Sequence, residues 1–136
     1  MHVVLVYVIS AIVILVMDIL WLSLNKRSYH AMLQAIQKTP VKFNNATAIL
    51  AYAVVLMSIF LVAVPLARHY LHKNNIIKSS IICGGGVGFV IYAIYNLTNM
   101  SILTNYSIPV AIKDTLWGTF LYTVGTYLVL MLSSQR

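Results

Sequence analysis

The chain has 136 residues, of which 61% are hydrophobic and only 8% are charged. A soluble domain of this size needs a mostly polar surface, so the composition argues against a water-soluble protein and indicates a membrane protein. The net charge is +7, but the basic residues lie between apolar runs and do not form one dense patch. This distribution argues against nucleic acid and favours anionic lipid headgroups and the bilayer as partners.

Four apolar runs are each long enough to span a bilayer, which takes about 20 residues. They extend from about Val3 to Leu24, Ala46 to Ala67, Ile76 to Asn99 and Pro109 to Leu132. We predict an all-α, multi-pass membrane protein in which residues 1–136 form one domain of four transmembrane helices. The first run is expected to be retained, because no Lys or Arg precedes it and no A-x-A cleavage site follows it.

The segment from Lys26 to Lys42, after the first run, is amphipathic. Apolar side chains recur in it at helical spacing: Tyr29, Met32, Leu33 and Ile36. We predict a short amphipathic helix that lies in the membrane interface between the first two spans and ends at Pro40. An ordinary connecting turn is the alternative.

An even number of spans places both termini on one side of the membrane, named here the terminal side. The connections after the first and third helices then lie on the opposite side, the loop side. Cations occur on both: Lys26, Arg27, Lys38, Lys42 and Lys113 on the loop side, and Arg68, Lys73, Lys78 and Arg136 on the terminal side. This near balance leaves the orientation in the membrane open.

The only two acidic residues each begin a copy of the pattern Asp-x-x-Trp, DILW at 18–21 and DTLW at 114–117. Asp18 comes late in the first helix and Asp114 early in the fourth, and these two helices run antiparallel. Both carboxyls are therefore expected at a similar depth near the loop side. Two carboxyls in one dry layer disfavour each other's ionisation, which predicts a shared proton.

Polar side chains of the other helices are expected at the same depth. The third helix ends in YAIYNLTN, in which Tyr92, Tyr95, Asn96 and Asn99 share one face. The second helix begins with Asn44, Asn45 and Thr47, and Tyr52 lies deeper. In each Asp-x-x-Trp the indole lies on the face of its own carboxyl, which it can shield from lipid. We predict an intramembrane polar layer of Asp18, Trp21, Tyr92, Tyr95, Asn96, Asn99, Asp114 and Trp117.

Glycines predict close contacts between helices. Gly84-x-x-x-Gly88 is the small-residue packing pattern of apolar helices, and Gly118 and Gly125 offer the same on the fourth helix. The run CGGGVG at 83–88 lacks the G-K-[ST] of a phosphate-binding loop. Cys83 has no disulfide partner in the chain, and His69 and His72 have no acid on their side, so no metal or cofactor is expected.

These motifs resemble a family of small four-helix membrane proteins catalogued as a domain of unknown function. The resemblance covers nearly the whole chain and rests on Asp18, Trp21, Leu22 and Tyr29; on Tyr52 and Pro65; on Tyr92, Tyr95, Asn96, Leu97, Thr98 and Asn99; and on Asp114, Trp117 and Gly118. Asn96 stands where the family usually has Asp. If the family site uses three acids, this chain has lost one, which weakens a proton or cation role.

Three functions are compatible with the sequence. The first is a small binding or transport module in which Asp18 and Asp114 bind a cation, a proton or a polar headgroup, expected to act as a homo-oligomer. The second is a structural scaffold or a subunit of a larger membrane assembly, in which the polar layer holds the helices together. The third is an intramembrane hydrolase with the aspartates as acid and base, although no catalytic residue can be assigned.

Overall fold

The structure is a computed structural model that describes residues 2–71 and 75–134. Within these residues, four helices are long and apolar enough to cross a membrane: α1 (Val3–Gln37), α2 (Asn45–Leu71), α3 (Ile76–Ile102) and α4 (Ile108–Ser134). The predicted all-α fold of four spans is therefore confirmed. Three residues used in the sequence predictions, His72, Lys73 and Arg136, lie outside the described residues.

The amphipathic segment after the first span does not form a separate helix. It is the last third of α1, which continues unbroken to Gln37. The reason is that no Gly or Pro occurs before Pro40, so nothing interrupts the backbone hydrogen bonds at the membrane boundary. The helix ends at Lys38, which adopts a left-handed conformation and donates its N–H to the Gln34 carbonyl.

Two of the helices contain a wide π-helical turn. In α2 the turn covers Ile59–Ala63 and directly precedes Pro65, whose ring lacks an N–H and crowds the carbonyl four residues earlier. In α3 the turn covers Ser80–Gly85 and includes two of three consecutive glycines, which favour such a local irregularity of the helix. Both turns lie in the half of the bundle that holds the chain termini.

Helix α4 is the centre of the bundle and contacts each of the other three helices. Its glycines permit close approach: a Cβ on Gly125 would lie 2.9 Å from the Ile14 side chain of α1 and 3.3 Å from Ile59 of α2. On the other side, Gly84 and Gly88 of α3 lie directly against α4. These contacts set the register in which α1 and α3 both run antiparallel to α4.

The two halves of the bundle differ in how tightly they pack. The half near the termini has a dry core, whose fully buried members are Val6, Ile14, Ile59, Ala63, Val64, Leu121, Tyr122 and Val129. At the other end, named the loop end and bounded by residues 38–44 and 103–107, the first part of α2 (Asn45–Ser58) has no buried residue. The loop-end half of α2 therefore stands apart from the rest of the bundle.

Gly88→Ala is expected to destabilise the fold, because the new Cβ would lie 2.5 Å from the Gly118 carbonyl oxygen and force the two backbones apart. The expected loss in free energy of unfolding is about 1 to 3 kcal/mol, the usual cost of overpacking. Gly86→Ala is the matched control, because a Cβ there meets nothing within 4 Å. Unfolding both variants in detergent micelles tests this, and equal stability would contradict the packing.

Candidate functional site

The two Asp-x-x-Trp motifs meet across the contact between α1 and α4, where one carboxylate is bound directly and the other through a tyrosine by the indole of the other motif. The Trp117 indole N–H of α4 donates to Asp18 Oδ1 of α1 at 2.7 Å. In the other direction, the Trp21 N–H reaches the Tyr29 hydroxyl at 3.4 Å, and that hydroxyl donates to Asp114 Oδ1 at 2.6 Å. The motifs thus exchange partners, whereas the sequence had suggested that each indole shields its own carboxyl.

The two indole rings lie flat against each other between these hydrogen bonds. The Trp21 and Trp117 rings are parallel to within 2°, with centroids 4.6 Å apart. Phe120, one turn further along α4, flanks Trp117 at 5.6 Å. The stacking fixes the orientation of both rings and therefore the directions in which the two N–H groups point.

Asn96 joins α3 to the same cluster. Its side chain is only 2% exposed, and its amide nitrogen donates to Asp114 Oδ2 at 2.9 Å. The same nitrogen lies 2.9 Å from the Tyr92 carbonyl and 3.2 Å from Thr115 Oγ1. An amide is well suited here because it supplies a permanent donor to the carboxylate, which an aspartate could do only when protonated.

The connection between α3 and α4 closes the cluster at the loop end. The Tyr106 hydroxyl donates to Asn96 Oδ1 at 2.9 Å, which orients the amide so that its nitrogen faces Asp114. Burial, with a smaller contribution from Tyr95, raises the pKa of the Tyr106 phenol above its ordinary value, so the hydroxyl keeps its proton at neutral pH. Tyr95 and Asn99 approach this same hydroxyl from the end of α3.

Tyr92 lies on the inner side of the cluster. Its ring covers Gly118, where any larger residue would collide with it, and meets Tyr122 edge to face at 6.2 Å. The Tyr122 hydroxyl in turn hydrogen-bonds to Ser58 of α2. Tyr92 therefore separates the carboxylates from the dry core without donating to either of them.

The predicted polar layer divides into two groups in the structure. Six residues meet around the α1–α4 contact: Asp18, Trp21, Tyr92, Asn96, Asp114 and Trp117. Tyr95 and Asn99 lie apart, at the end of α3 near Tyr106, and Tyr95 is 60% exposed. Lys113 is exposed, although it is next to Asp114 in the sequence.

Four residues of the cluster were not among the predicted site residues. Tyr29 lies about three turns beyond Asp18 on the same face of α1, but this alignment is visible only if α1 is continuous. Tyr52 approaches the Asp18 carboxylate from α2. No sequence pattern pointed to Thr115 or Tyr106, because both contact Asn96 and its position is known only in the folded chain.

A cleft of about 800 Å³ opens beside the cluster, between the loop-end halves of α1 and α2. Its walls are mainly apolar, with a few polar groups: Ile19, Leu22, Ser23, Lys26, Tyr29, His30, Leu33, Val41, Phe43, Asn45, Ala48, Ile49 and Tyr52. Tyr29 and Tyr52 are shared by the cleft and the cluster. Among the described residues, no group of three or more His, Cys, Asp or Glu could hold a metal ion.

Four helices of membrane-spanning length and apolar composition, packed in one bundle, define a multi-pass integral membrane protein. The sequence profile of the family described as "Predicted membrane protein (DUF2177)", a family of unknown function, matches residues 3–131. Because the match covers nearly the whole chain, the protein belongs to this family. No curated protein and no solved structure shows a significant match to the chain.

The stacked indoles predict an exciton couplet in the circular dichroism spectrum, which is assignable because Trp21 and Trp117 are the only tryptophans. Either Trp21→Phe or Trp117→Phe should abolish it. Trp117→Phe should also lower the free energy of unfolding by roughly 1 kcal/mol, the scale of membrane hydrogen bonds. Trp21→Phe should cost less, because its bond of 3.4 Å is weak. A couplet that survives in either variant would contradict the stacking.

Asn96→Asp is expected to make stability depend on pH. Its carboxyl would lie within hydrogen-bonding distance of Asp114, so one of the two must hold a proton in the folded state. The folded variant then binds more protons than the unfolded chain, and its stability falls as the pH rises. Unfolding at pH 5 and pH 8 tests this, with Asn99→Asp as the control. Equal pH dependence in both variants would exclude the close carboxyl pair.

Proposed function

We propose that the protein is a binding module of the membrane, which receives one amphipathic molecule in the cleft between α1 and α2. The observation that carries the proposal is that Tyr29 and Tyr52 belong to both the cleft and the aspartate cluster. An occupant of the cleft would contact the two hydroxyls that face Asp114 and Asp18. Its polar part would therefore meet hydrogen-bonding groups, and its apolar part the aliphatic wall.

The size and the lining of the cleft support this function. Its volume of about 800 Å³ lies within the range of small-molecule sites, roughly 300 to 1,000 Å³. Such sites usually have predominantly apolar walls and a few polar groups that orient the ligand. The cleft has this composition, and it lies between two helices, so a molecule dissolved in the bilayer could enter from the side.

The dry half of the bundle favours binding over conduction. Beyond the cluster, Leu121, Tyr122 and Val129 are almost fully buried and packed against α1 and α2. A polar molecule or ion that reached the cluster would meet this closed core. In a single copy of the chain we therefore expect a site with one entrance, with both termini on the same side of the membrane.

The aspartates are better placed to organise this site than to catalyse hydrolysis. Both oxygens of Asp114 accept hydrogen bonds, from Tyr29 and Asn96, and Asp18 accepts one from Trp117 and is also approached by the Tyr52 hydroxyl. A general base needs an oxygen that is free to approach a water molecule. The carboxylates instead hold the tyrosines in position at the cleft wall.

A second candidate is a subunit of a homo-oligomer or of a larger membrane assembly. The specific observation in its favour is that the first part of α2, Asn45–Ser58, has no buried residue within this chain. A neighbouring subunit could cover that helix and fill the cleft. The two candidates differ in what occupies the cleft, so the same variants can distinguish them.

Ala48→Trp should weaken binding of a phosphatidylcholine with a fluorescent acyl chain at least about tenfold, because the indole would fill the cleft that Ala48 lines. Ala53→Trp is the matched control, on the exposed side of the same helix. Titration of the purified protein in detergent gives both affinities. Equal affinities would exclude the cleft, and a parent dimer that only Ala48→Trp dissociates would favour the subunit candidate.

A further inference from the structure

We infer that the occupant of the cleft is an anionic phospholipid, with its headgroup phosphate between Lys26 and His30 and an acyl chain along the aliphatic wall below them. This inference rests on the proposed binding function and names its ligand class. It is carried by the order of the side chains along the cleft, by the depth of Lys26 on α1, and by the charge around the entrance.

The depth of Lys26 follows from the length of α1. A helix of 35 residues is about 52 Å long, whereas the hydrocarbon core of a bilayer is about 30 Å thick. The last part of α1 must therefore lie at the level of the headgroups. Residues 19–25 are uncharged and Lys26 begins the charged part, so the boundary between hydrocarbon and headgroups falls near Lys26.

The polarity of the cleft changes along α1 in the same direction. At the deeper level, Ile19 and Leu22 line it from α1, and Ile49 lines it from α2. One to two turns outward, Lys26 and His30 line the same wall of α1. A phospholipid changes from apolar to polar in the same direction, with its acyl chains inside the membrane and its phosphate at the surface.

The charge at the entrance selects among lipids. No acidic residue lines the cleft, since the only two acids of the chain, Asp18 and Asp114, are held in the cluster. Lys26 is exposed and His30 is half-buried at the mouth. Both can donate hydrogen bonds to a phosphate, and a cation at the membrane surface favours an anionic lipid by about fivefold. A lipid with a net negative charge should therefore bind more tightly than a zwitterionic one.

The position of the tyrosines explains how the lipid would contact the cluster. Tyr29 lies between Lys26 and His30 in the sequence and lines the cleft with them, while its hydroxyl donates to Asp114. Tyr29 would then lie at the level of the lipid phosphate and the ester oxygens next to it. Because its single hydroxyl proton is donated to Asp114, Tyr29 forms a polar part of the wall there, and Lys26 and His30 supply the donors to the phosphate.

The test compares phosphatidylglycerol with phosphatidylcholine of identical acyl chains, added to the purified protein in detergent and counted by native mass spectrometry. The parent should bind phosphatidylglycerol about fivefold or more tightly than phosphatidylcholine. The double variant Lys26→Gln, His30→Gln should lose this preference, because its affinity for phosphatidylglycerol should fall further than its affinity for phosphatidylcholine. Lys38→Asn is the matched control, because it removes a cation at the loop end, outside the cleft, and Asn tolerates the left-handed backbone.

Three outcomes would overturn the inference, and they separate it from the proposed function. If the parent binds both lipids equally and Ala48→Trp weakens the binding of both, the cleft binds lipid without selecting for an anionic headgroup. If Lys38→Asn removes the preference as fully as the double variant does, the selectivity belongs to the general surface charge. If neither lipid binds, in the parent or in Ala53→Trp, the proposed function fails together with the inference.

Discussion

The placement of two half-buried carboxylates in an apolar bundle of membrane-length helices is the constraint on which the rest of this structure depends. A carboxylate there costs several kcal/mol unless donors surround it. The chain meets this requirement across the α1–α4 contact, where Trp117 donates to Asp18 and Tyr29 donates to Asp114. Because every donor distance depends on the register of the two helices, the exchange of partners fixes how far α1 lies along α4.

The same constraint accounts for the other two helices in different ways. Helix α3 packs against α4, where Asn96 supplies the second donor to Asp114. Gly84 and Gly88 of α3 allow the two helices to come this close. Helix α2 is anchored at the far end, where Ile59 and Val64 enter the dry core, and contributes Tyr52 at the Asp18 level. Apart from Tyr52, the loop-end half of α2 makes no contact of this kind, so it stands apart and leaves the cleft.

This arrangement gives the protein a rigid part and an open part. The core near the termini and the Trp21–Trp117 stack form the rigid part. The cleft, with aliphatic walls, two tyrosines and a cationic mouth, forms the open part. Membership in a family of unknown function names no ligand, so the case for lipid binding comes from the chemistry of these walls. A binding site next to a rigid cluster keeps its shape while the surrounding bilayer moves.

The sequence by itself determined the four spans and the membrane environment, because the lengths and the composition of the apolar runs decide these. Only the tertiary structure decided which donor serves which carboxylate. Tyr29 was missed because the end of α1 was expected to form a separate helix, which would have broken the register with Asp18. Tyr106 was missed because its partner, Asn96, comes near only when the loop folds back. The cleft depends on how far α2 stands from α1, which is a matter of packing between helices and not of any local pattern.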